Sequence, residues 1–142
     1  MPDPIIRVAT ADDVEPVLAL WQAAADDVDR PADTSSAVHA LMTRDPEALI
    51  VAEEARRIVG TVVIGWDGWR GHIYRLAVDP SYRGLGVGSR LLEAAEQRAR
   101  DQGCVRIDAI VRDGNTLAHR IWTREGYERQ ARWSRWVKQL DA

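Results

Sequence analysis

The stretch Gly71–Gln102, GHIYRLAVDPSYRGLGVGSRLLEAAEQRARDQ, decides how this chain is read. It predicts one strand, one tight glycine loop and one helix. His72 to Val78 carries residues that suit a pleated, half-buried surface, and Asp79-Pro80 ends the strand because proline cannot donate to a ladder. From Val87 the apolar residues fall at Val87, Leu91, Leu92, Ala95 and Ala99, one helical stripe. Glu93/Gln97 and Glu96/Arg100 are i,i+4 pairs facing water, and Gly103 is placed as a left-handed C-terminal cap. Between strand and helix lies Arg83-Gly84-Leu85-Gly86-Val87-Gly88. Three alternate glycines clear side chains from the backbone, and the loop amides sit where a helix begins and its dipole is positive. Such a loop is an anion cradle, suited to a pyrophosphate.

Other phosphate loops share this outline. A dinucleotide-binding fingerprint also joins strand, glycine turn and helix, with Asp108 about twenty residues on as the ribose-binding acid. The third glycine comes one residue too early for it, and the unit stands mid-chain. A P-loop needs a Gly-Lys-Ser/Thr run, which does not follow. A plain turn before a surface helix explains one glycine, but not three preceded by an arginine.

The chain of 142 residues fits one domain, 1–142, long enough to bury about two thirds of its unfolded surface. Its hydrophobic fraction of 46% is ordinary, no apolar run approaches the roughly 20 residues needed to cross a bilayer, and no basic, apolar signal peptide opens it. A cytoplasmic location without membrane attachment is expected. The single cysteine, Cys104, permits no internal disulfide and reads as buried filler at the head of an apolar strand. A formal charge of −3 argues against nucleic-acid binding, and no metal site is expected.

Ile5 to Ala9 predicts a first strand. Thr10 with Asp13 three residues on is a capping-box pattern for a helix of about four turns through Val14, Val17, Leu18 and Trp21, ending near Ala25. Asp26 to Asp33 is polar and proline-broken, hence a loop, before Thr34 or Ser35 caps a second helix through Val38, Leu41 and Met42. Leu49–Glu53 and Ile58–Ile64 predict two strands joined around Ala55-Arg56-Arg57. Asp67-Gly68 is a two-residue turn signal leading into the central strand. Trp66 and Trp69 beside it either wall a substrate site or pack across the hairpin. Val105 to Val111 predicts a strand, and a helix with Leu117, Ala118, Ile121 and Trp122 inward follows Asp113-Gly114-Asn115. Tyr127–Arg132 and Trp133–Val137 predict two last strands. Helices and strands alternating around a mixed sheet define an α/β chain, or α+β in stricter terms.

Leu76-Ala77-Val78-Asp79-Pro80, then Tyr82-Arg83-Gly84-x-Gly86-x-Gly88 and Leu91-Leu92, resembles the acetyl-CoA signature of the GNAT superfamily of N-acetyltransferases. The core pattern Gln/Arg-x-x-Gly-x-Gly/Ala is met by Arg83, Gly86 and Gly88. Val51-Ala52-Glu53, Ile58-Val59-Gly60, Asn115, Ala118 and Gly126-Tyr127 extend the resemblance over essentially the whole chain. It implies a mixed, mostly antiparallel sheet of about 6–7 strands flanked by about four helices. Strands 72–78 and 105–111 would splay at a bulge and admit the pantetheine arm of acetyl-CoA.

The resemblance also implies roles. The backbones of Leu76, Ala77 and Val78 would meet the arm, with the Leu76 N–H as oxyanion donor, and the amides of Arg83, Gly84, Leu85, Gly86, Val87, Gly88 and Ser89 would hold the pyrophosphate. His72 stands where some members carry a general-base glutamate, and an unperturbed imidazole titrates near about 6.5. Where the family has a tyrosine to protonate the departing thiolate, this chain has Trp122, whose indole N–H is not an acid. Tyr74, on the strand face of His72, and His119, on the helix face of Asn115 and Trp122, are the substitutes. Asn115 is an N-cap, a pantetheine contact, or both. The helix–loop–helix near the N-terminus would cover the acceptor, a small-molecule or peptide amine. Residues 1–54 sum to a charge of −9 and residues 112–142 to +3, which suits an amine on one side and CoA phosphates on the other, or is simply solvated surface.

The replaced tyrosine leaves two readings: an N-acetyltransferase acting in a ternary complex, or a non-catalytic acyl-CoA-binding or sensing module. A nicotinamide oxidoreductase is the third. Arg129, Arg132, Trp133, Arg135 and Trp136 belong to a pocket, a surface or the interface of a homodimer, since tryptophan and arginine are enriched at interfaces.

Overall fold

The computed structural model describes residues 2–24 and 32–140. In chain order the elements are β1 (Ile5–Val8), a 3-10 turn (Ala11–Asp13), α1 (Val14–Ala24), α2 (Ser35–Arg44), β2 (Leu49–Glu54), β3 (Arg57–Trp66), β4 (Gly71–Val78), a second 3-10 turn (Pro80–Tyr82), α3 (Val87–Asp101), β5 (Ile107–Ala109) and α4 (Thr116–Arg124). The strands form one sheet in sequential order, antiparallel from β1 to β4, with β5 parallel to β4. A parallel neighbour demands a crossover, and α3 is that crossover. Asp26 to Pro31, expected as a loop, and Ala25, the expected end of the first helix, lie outside the described residues.

The helices form a layer on each face. Leu49, Val51 and Val63 point to α1 and α2, where Val14, Val17, Trp21 and Val38 complete one core. Ile50, Ala52, Val62, Ile64 and Ile73 point the other way, to Val87, Leu91, Leu92, Ala95 and Ala99 of α3 and Trp122 of α4. Because both faces are covered, β2 and β3 read as continuous apolar runs, not as alternations. Gly60 sets the spacing: a Cβ there would lie 2.9 Å from the Leu91 side chain and 3.1 Å from Val87, so only glycine lets α3 seat this close to β3.

Local chemistry fixes the element ends. The Thr10 N–H donates to Asp13 at 2.7 Å, as the capping-box pattern predicts, and the Thr34 hydroxyl caps α2 by accepting from the Ala37 N–H. Gly103 adopts the left-handed cap after α3, with φ of 88°. The Ala55-Arg56 turn has both residues at positive φ, the pair of values a two-residue hairpin requires.

Three expectations are corrected. The sheet has five strands among the described residues, not six or seven: after α4 the segments expected as strands over 127–132 and 133–137 are irregular and largely exposed. Strands need cross-strand partners, and the short β5 offers only three residues to pair with an arginine-rich tail. Likewise the strand expected over 105–111 contracts to Ile107–Ala109. The turn at Asp67-Gly68 is a four-residue loop, since Trp66 pairs with Gly71 and the Asp67 carboxylate accepts from the Trp69 and Arg70 N–H groups. In that loop Trp69 neither packs across the hairpin nor walls a site; it is exposed, with the Arg70 guanidinium stacked 4.4 Å from its ring.

Arg7 donates to both oxygens of Asp13, at 2.7 and 3.0 Å, and reaches Glu53 at 3.4 Å, joining β1, the first turn and β2. The Arg7 hydrogen bond holds the nearly buried Asp13 carboxyl below the usual carboxylate range. A depressed folded-state pKa contributes stability that is present above about pH 4, the unfolded value, and lost as pH falls through the folded one. Asp13→Asn should therefore lower unfolding free energy by about 1–3 kcal/mol at pH 7, a deficit that shrinks toward pH 2. Urea denaturation at several pH values measures it; equal deficits at pH 7 and pH 2 would refute the linkage.

Candidate active site

The site begins where β4 loses a partner. Gly71, His72 and Ile73 pair with Ile107, Asp108 and Ala109, and there the pairing with β5 ends, although β4 runs on to Val78. On its other edge β4 stays paired with β3, through a register shift: Thr61 is opposite Ala77 but Val63 is opposite Tyr74. The extra residue is Arg75, at φ of 53°. This bulge turns Tyr74 and Arg75 both toward α1 and α2, while Leu76 and Val78 return to the α3 core. The strand's apolar residues Ile73, Leu76 and Val78 break the two-residue alternation by one, which is the signal in the sequence that would have found the bulge.

From Val78 the chain enters the glycine loop. The Asp79 N–H donates to the Val59 carbonyl at 2.8 Å and its carboxylate accepts from the Ser81 N–H at 2.8 Å, fixing the first turn of the loop. Gly84 and Gly86 have φ of 78° and 80°, and a Cβ on either would meet nothing within 4 Å. Glycine is required there by backbone conformation, and the same positions are open to a ligand. Gly88 differs: it is buried, and a Cβ there would meet Ile121 of α4 and Val78 at 3.5–3.8 Å, ordinary contact distances, so neither backbone conformation nor packing demands glycine. The first amides of α3, from Val87 to Ser89, have no acceptor within the helix and lie at its positive end. The sequence reading missed Arg124, which reaches from α4 to donate to the Ser89 hydroxyl at 3.1 Å and brings a cation to the cradle; long-range contact of this kind leaves no sequence pattern.

On the opposite face of β4 lies a pocket of about 250 Å3 between α1, α2 and the bulge. Trp21, Val38, Leu41 and Val63 form apolar walls, and Tyr74 stands at the rim with Asp33 and Arg75. Arg75 donates to Asp33 at 2.8 and 3.2 Å, and its guanidinium lies 5.8 Å from the Trp21 ring. His72, half-buried, has its ring centroid 6.1 Å from that of Tyr74.

The other expected residues are placed differently. Asn115 is the N-cap of α4, its side chain accepting from the Ala118 N–H at 3.0 Å. One ring nitrogen of His119 is bonded to the Arg112 carbonyl at 2.9 Å, which anchors the loop before α4. Trp122 is buried in the α3 core and meets Tyr127 edge to face at 4.8 Å. The Tyr127 hydroxyl donates to Glu96 at 2.8 Å, and burial together with this bond pushes its pKa up. Neither aromatic residue is poised to release a proton. The nicotinamide reading is overturned by the sheet, which is antiparallel for four of its five strands, whereas a dinucleotide fold is wound on parallel strands. Among the described residues no group of acidic, histidine or cysteine side chains is arranged to hold a metal, and no helix is long and apolar enough to cross a membrane.

The fourth strand thus runs beyond its last pairing with the edge strand β5 into a glycine loop at the N-terminus of α3. Residues 14–127 match the acetyltransferase (GNAT) family, and the chain belongs to it. An acetyltransferase of Sodalis glossinidius is 36% identical over 126 residues, covering 88% of this chain and 87% of its own. Among solved structures, Ard1 from Thermoplasma volcanium is 27% identical with a TM-score of 0.77, over 87% of this chain and 81% of that one. An aminoglycoside N-acetyltransferase in complex with CoA, 18% identical, shares the fold with a TM-score of 0.76 over 99% of this chain and 97% of that one.

Gly86→Ala tests the reason given for that glycine. Placing a Cβ in the left-handed region should cost about 1–2 kcal/mol from the local backbone alone, with no clash against other residues, so Gly86→Asn, a residue that tolerates this conformation, should cost less than half as much. Urea unfolding of both variants compares them, and equal losses would refute a backbone origin.

Proposed function

We propose that the chain transfers acetyl from acetyl-CoA directly to a primary amine in a ternary complex. One observation carries this reading: the part of β4 that lacks a partner on its β5 edge, Tyr74 to Val78, runs directly into the glycine cradle. The pantetheine arm of CoA carries two amides and is joined to a pyrophosphate. Laid along Leu76, Ala77 and Val78 it pairs backbone groups that β5 leaves open, and its phosphates reach the amides from Gly84 to Ser89, with Arg124 alongside, the Arg83 N–H being taken by the Pro80 carbonyl. The aminoglycoside acetyltransferase that shares the fold holds CoA, in keeping with this assignment. No metal enters the scheme.

The thioester carbonyl then faces the Leu76 N–H, which stabilises the tetrahedral oxyanion. The acceptor enters from the opposite face through the apolar pocket, so the pocket favours an amine on a small apolar body, free or at a peptide end, over a polycationic one. His72 takes the proton, with Tyr74 between it and the pocket. Because Trp122 and Tyr127 are committed to the core, CoA leaves as thiolate, whose pKa near about 8.5 by analogy with cysteine makes an acid dispensable, or takes a proton from Tyr74. That same commitment favours a second reading, an acyl-CoA sensor without turnover, with His119 and Asn115 serving structure alone.

Release of CoA thiol across a panel of amines decides between them. Turnover with apolar primary amines is expected, and tight acetyl-CoA binding with no turnover would establish the sensor. In His72→Ala the low-pH limb of the pH–rate profile, where protonation silences the base, should disappear and kcat should fall about 10²-fold or more; an unchanged profile removes His72 from the mechanism. The tail beyond α4, with Trp133 and Trp136 at 78% and 93% exposure beside the unpaired edge of β5, is the surface through which a homodimer would form. Sedimentation should show dimer at micromolar concentration and monomer for Trp133→Ser/Trp136→Ser.

A further inference from the structure

Thr61 is fully buried in β3, and its hydroxyl is used twice. It accepts the Trp21 indole N–H from α1 at 2.7 Å and donates to the Arg75 carbonyl at 2.8 Å. Its backbone partner across the ladder is Ala77, so the side chain reaches diagonally to the bulge. There Arg75 occupies the left-handed region, which arginine adopts only when its surroundings hold it. The holding contacts are Asp33 on the guanidinium and Thr61 on the carbonyl.

The second contact has a consequence across the peptide plane. A trans peptide is planar, with its C=O and the following N–H pointing in opposite directions. No peptide bond here is cis among the described residues. The Arg75 carbonyl turns toward β3 and α1, so the Leu76 N–H of the same plane turns away from β3, to the edge of β4 where pairing with β5 has lapsed. We infer that Thr61, backed by Trp21, is a positioning residue that aims the Leu76 amide at the thioester carbonyl of acetyl-CoA. The substrate in this inference rests on the acetyl-transfer reading; the direction of the amide does not.

An amide aimed at an oxygen acts most strongly when that oxygen carries charge, so its alignment matters more in the transition state than in the bound thioester. Thr61 does not line the acceptor pocket, so the amine's own contacts are unaffected by changing it. Thr61→Val keeps the shape, removes the hydroxyl and leaves a buried indole N–H and a carbonyl without their partner. Thr61→Ser keeps the hydroxyl and loses a methyl.

The experiment measures kcat and KM, and separately the calorimetric affinity for acetyl-CoA against S-ethyl-CoA, a thioether without the carbonyl. Thr61→Val should lower kcat about 10- to 100-fold, change the KM for acetyl-CoA less than about threefold, and shrink the preference for acetyl-CoA over S-ethyl-CoA. Thr61→Ser should restore both. If Thr61→Val does not fold, Trp21→Phe, which removes the donor of the first bond and also trims a wall of the acceptor pocket, should shrink the carbonyl preference, a binding readout in which no amine takes part. A merely structural Thr61 would lower Tm and leave kcat and the carbonyl preference at wild-type values, and that result overturns the inference, as does Thr61→Ser being as defective as Thr61→Val. Wild-type protein that turns over no amine refutes acetyl transfer instead. The carbonyl preference then decides alone: lost in Thr61→Val it supports the aimed amide, retained it overturns it.

Discussion

Beyond Ile73 the fourth strand has a sheet partner on one edge only, and the rest of the structure is arranged around that half-satisfied backbone. A strand deprived of its ladder in a protein interior would leave donors and acceptors unpaired, at about 1–3 kcal/mol each. Here the deprivation is confined to one edge of five residues, Tyr74 to Val78, while the ten-residue β3 holds the other. The parting is permitted because α3 fills the parallel crossover between β4 and β5 and takes over the packing that a longer β5 would supply. Leu91 and Leu92 are fully buried beneath the sheet. Gly60, by admitting α3 so close to β3, fixes the helix start relative to the open strand. Cradle and gap are therefore placed by the same packing of α3 on β3.

The bulge makes the opening directional. Regular pleating would send Tyr74 and Arg75 to opposite faces; at the bulge both serve the α1–α2 side, and the amide plane between Arg75 and Leu76 is rotated with them. Left-handed backbone at an arginine is a strained choice, and it is sustained by a hydrogen-bond chain from α1 and a bidentate grip from Asp33. Elsewhere ion pairs do plainer work. Arg98 of α3 donates to both oxygens of Asp45 after α2, at 3.0 and 2.7 Å, tying together helices that lie on opposite faces of the sheet.

What could be read from sequence follows the range of the interactions. The helical stripe from Val87 to Ala99, the Asp79-Pro80 stop, the Thr10/Asp13 box and the Gly103 cap each depend on residues a few places apart, and each appears as expected. Gly84 and Gly86 were legible for a related reason, since positive φ is a local demand. The burial of Gly88 beside Ile121 was not legible, because that neighbour is far away in the chain. The same holds for Trp21, Thr61 and Arg75, three residues from three elements, and for Arg124 beside Ser89. The two missing strands after α4 failed for the converse reason: their pattern permits pairing, but pairing needs an edge, and three residues of β5 supply too little of one.

Trp122 and Tyr127 show how a departure in sequence is absorbed by packing. A tyrosine hydroxyl placed at 122, in the buried α3 core, would need a partner or an opening. Tryptophan presents only an N–H and a larger apolar surface, and its edge-to-face contact with Tyr127 fills the space under the end of α4. Tyr127 in turn is reached through a helix end closed by Gly126 at φ of 91°, with the Tyr127 N–H donating to the Trp122 carbonyl at 2.9 Å. Its hydroxyl then has one acceptor, Glu96, within α3. Burial that raises the pKa of this phenol also locks its proton toward Glu96, away from the opening beside β4. The end of α4 has become scaffold for the helix that carries the cradle. On the opposite face of β4, Tyr74 stands at the apolar pocket with the His72 ring centroid 6.1 Å from its own.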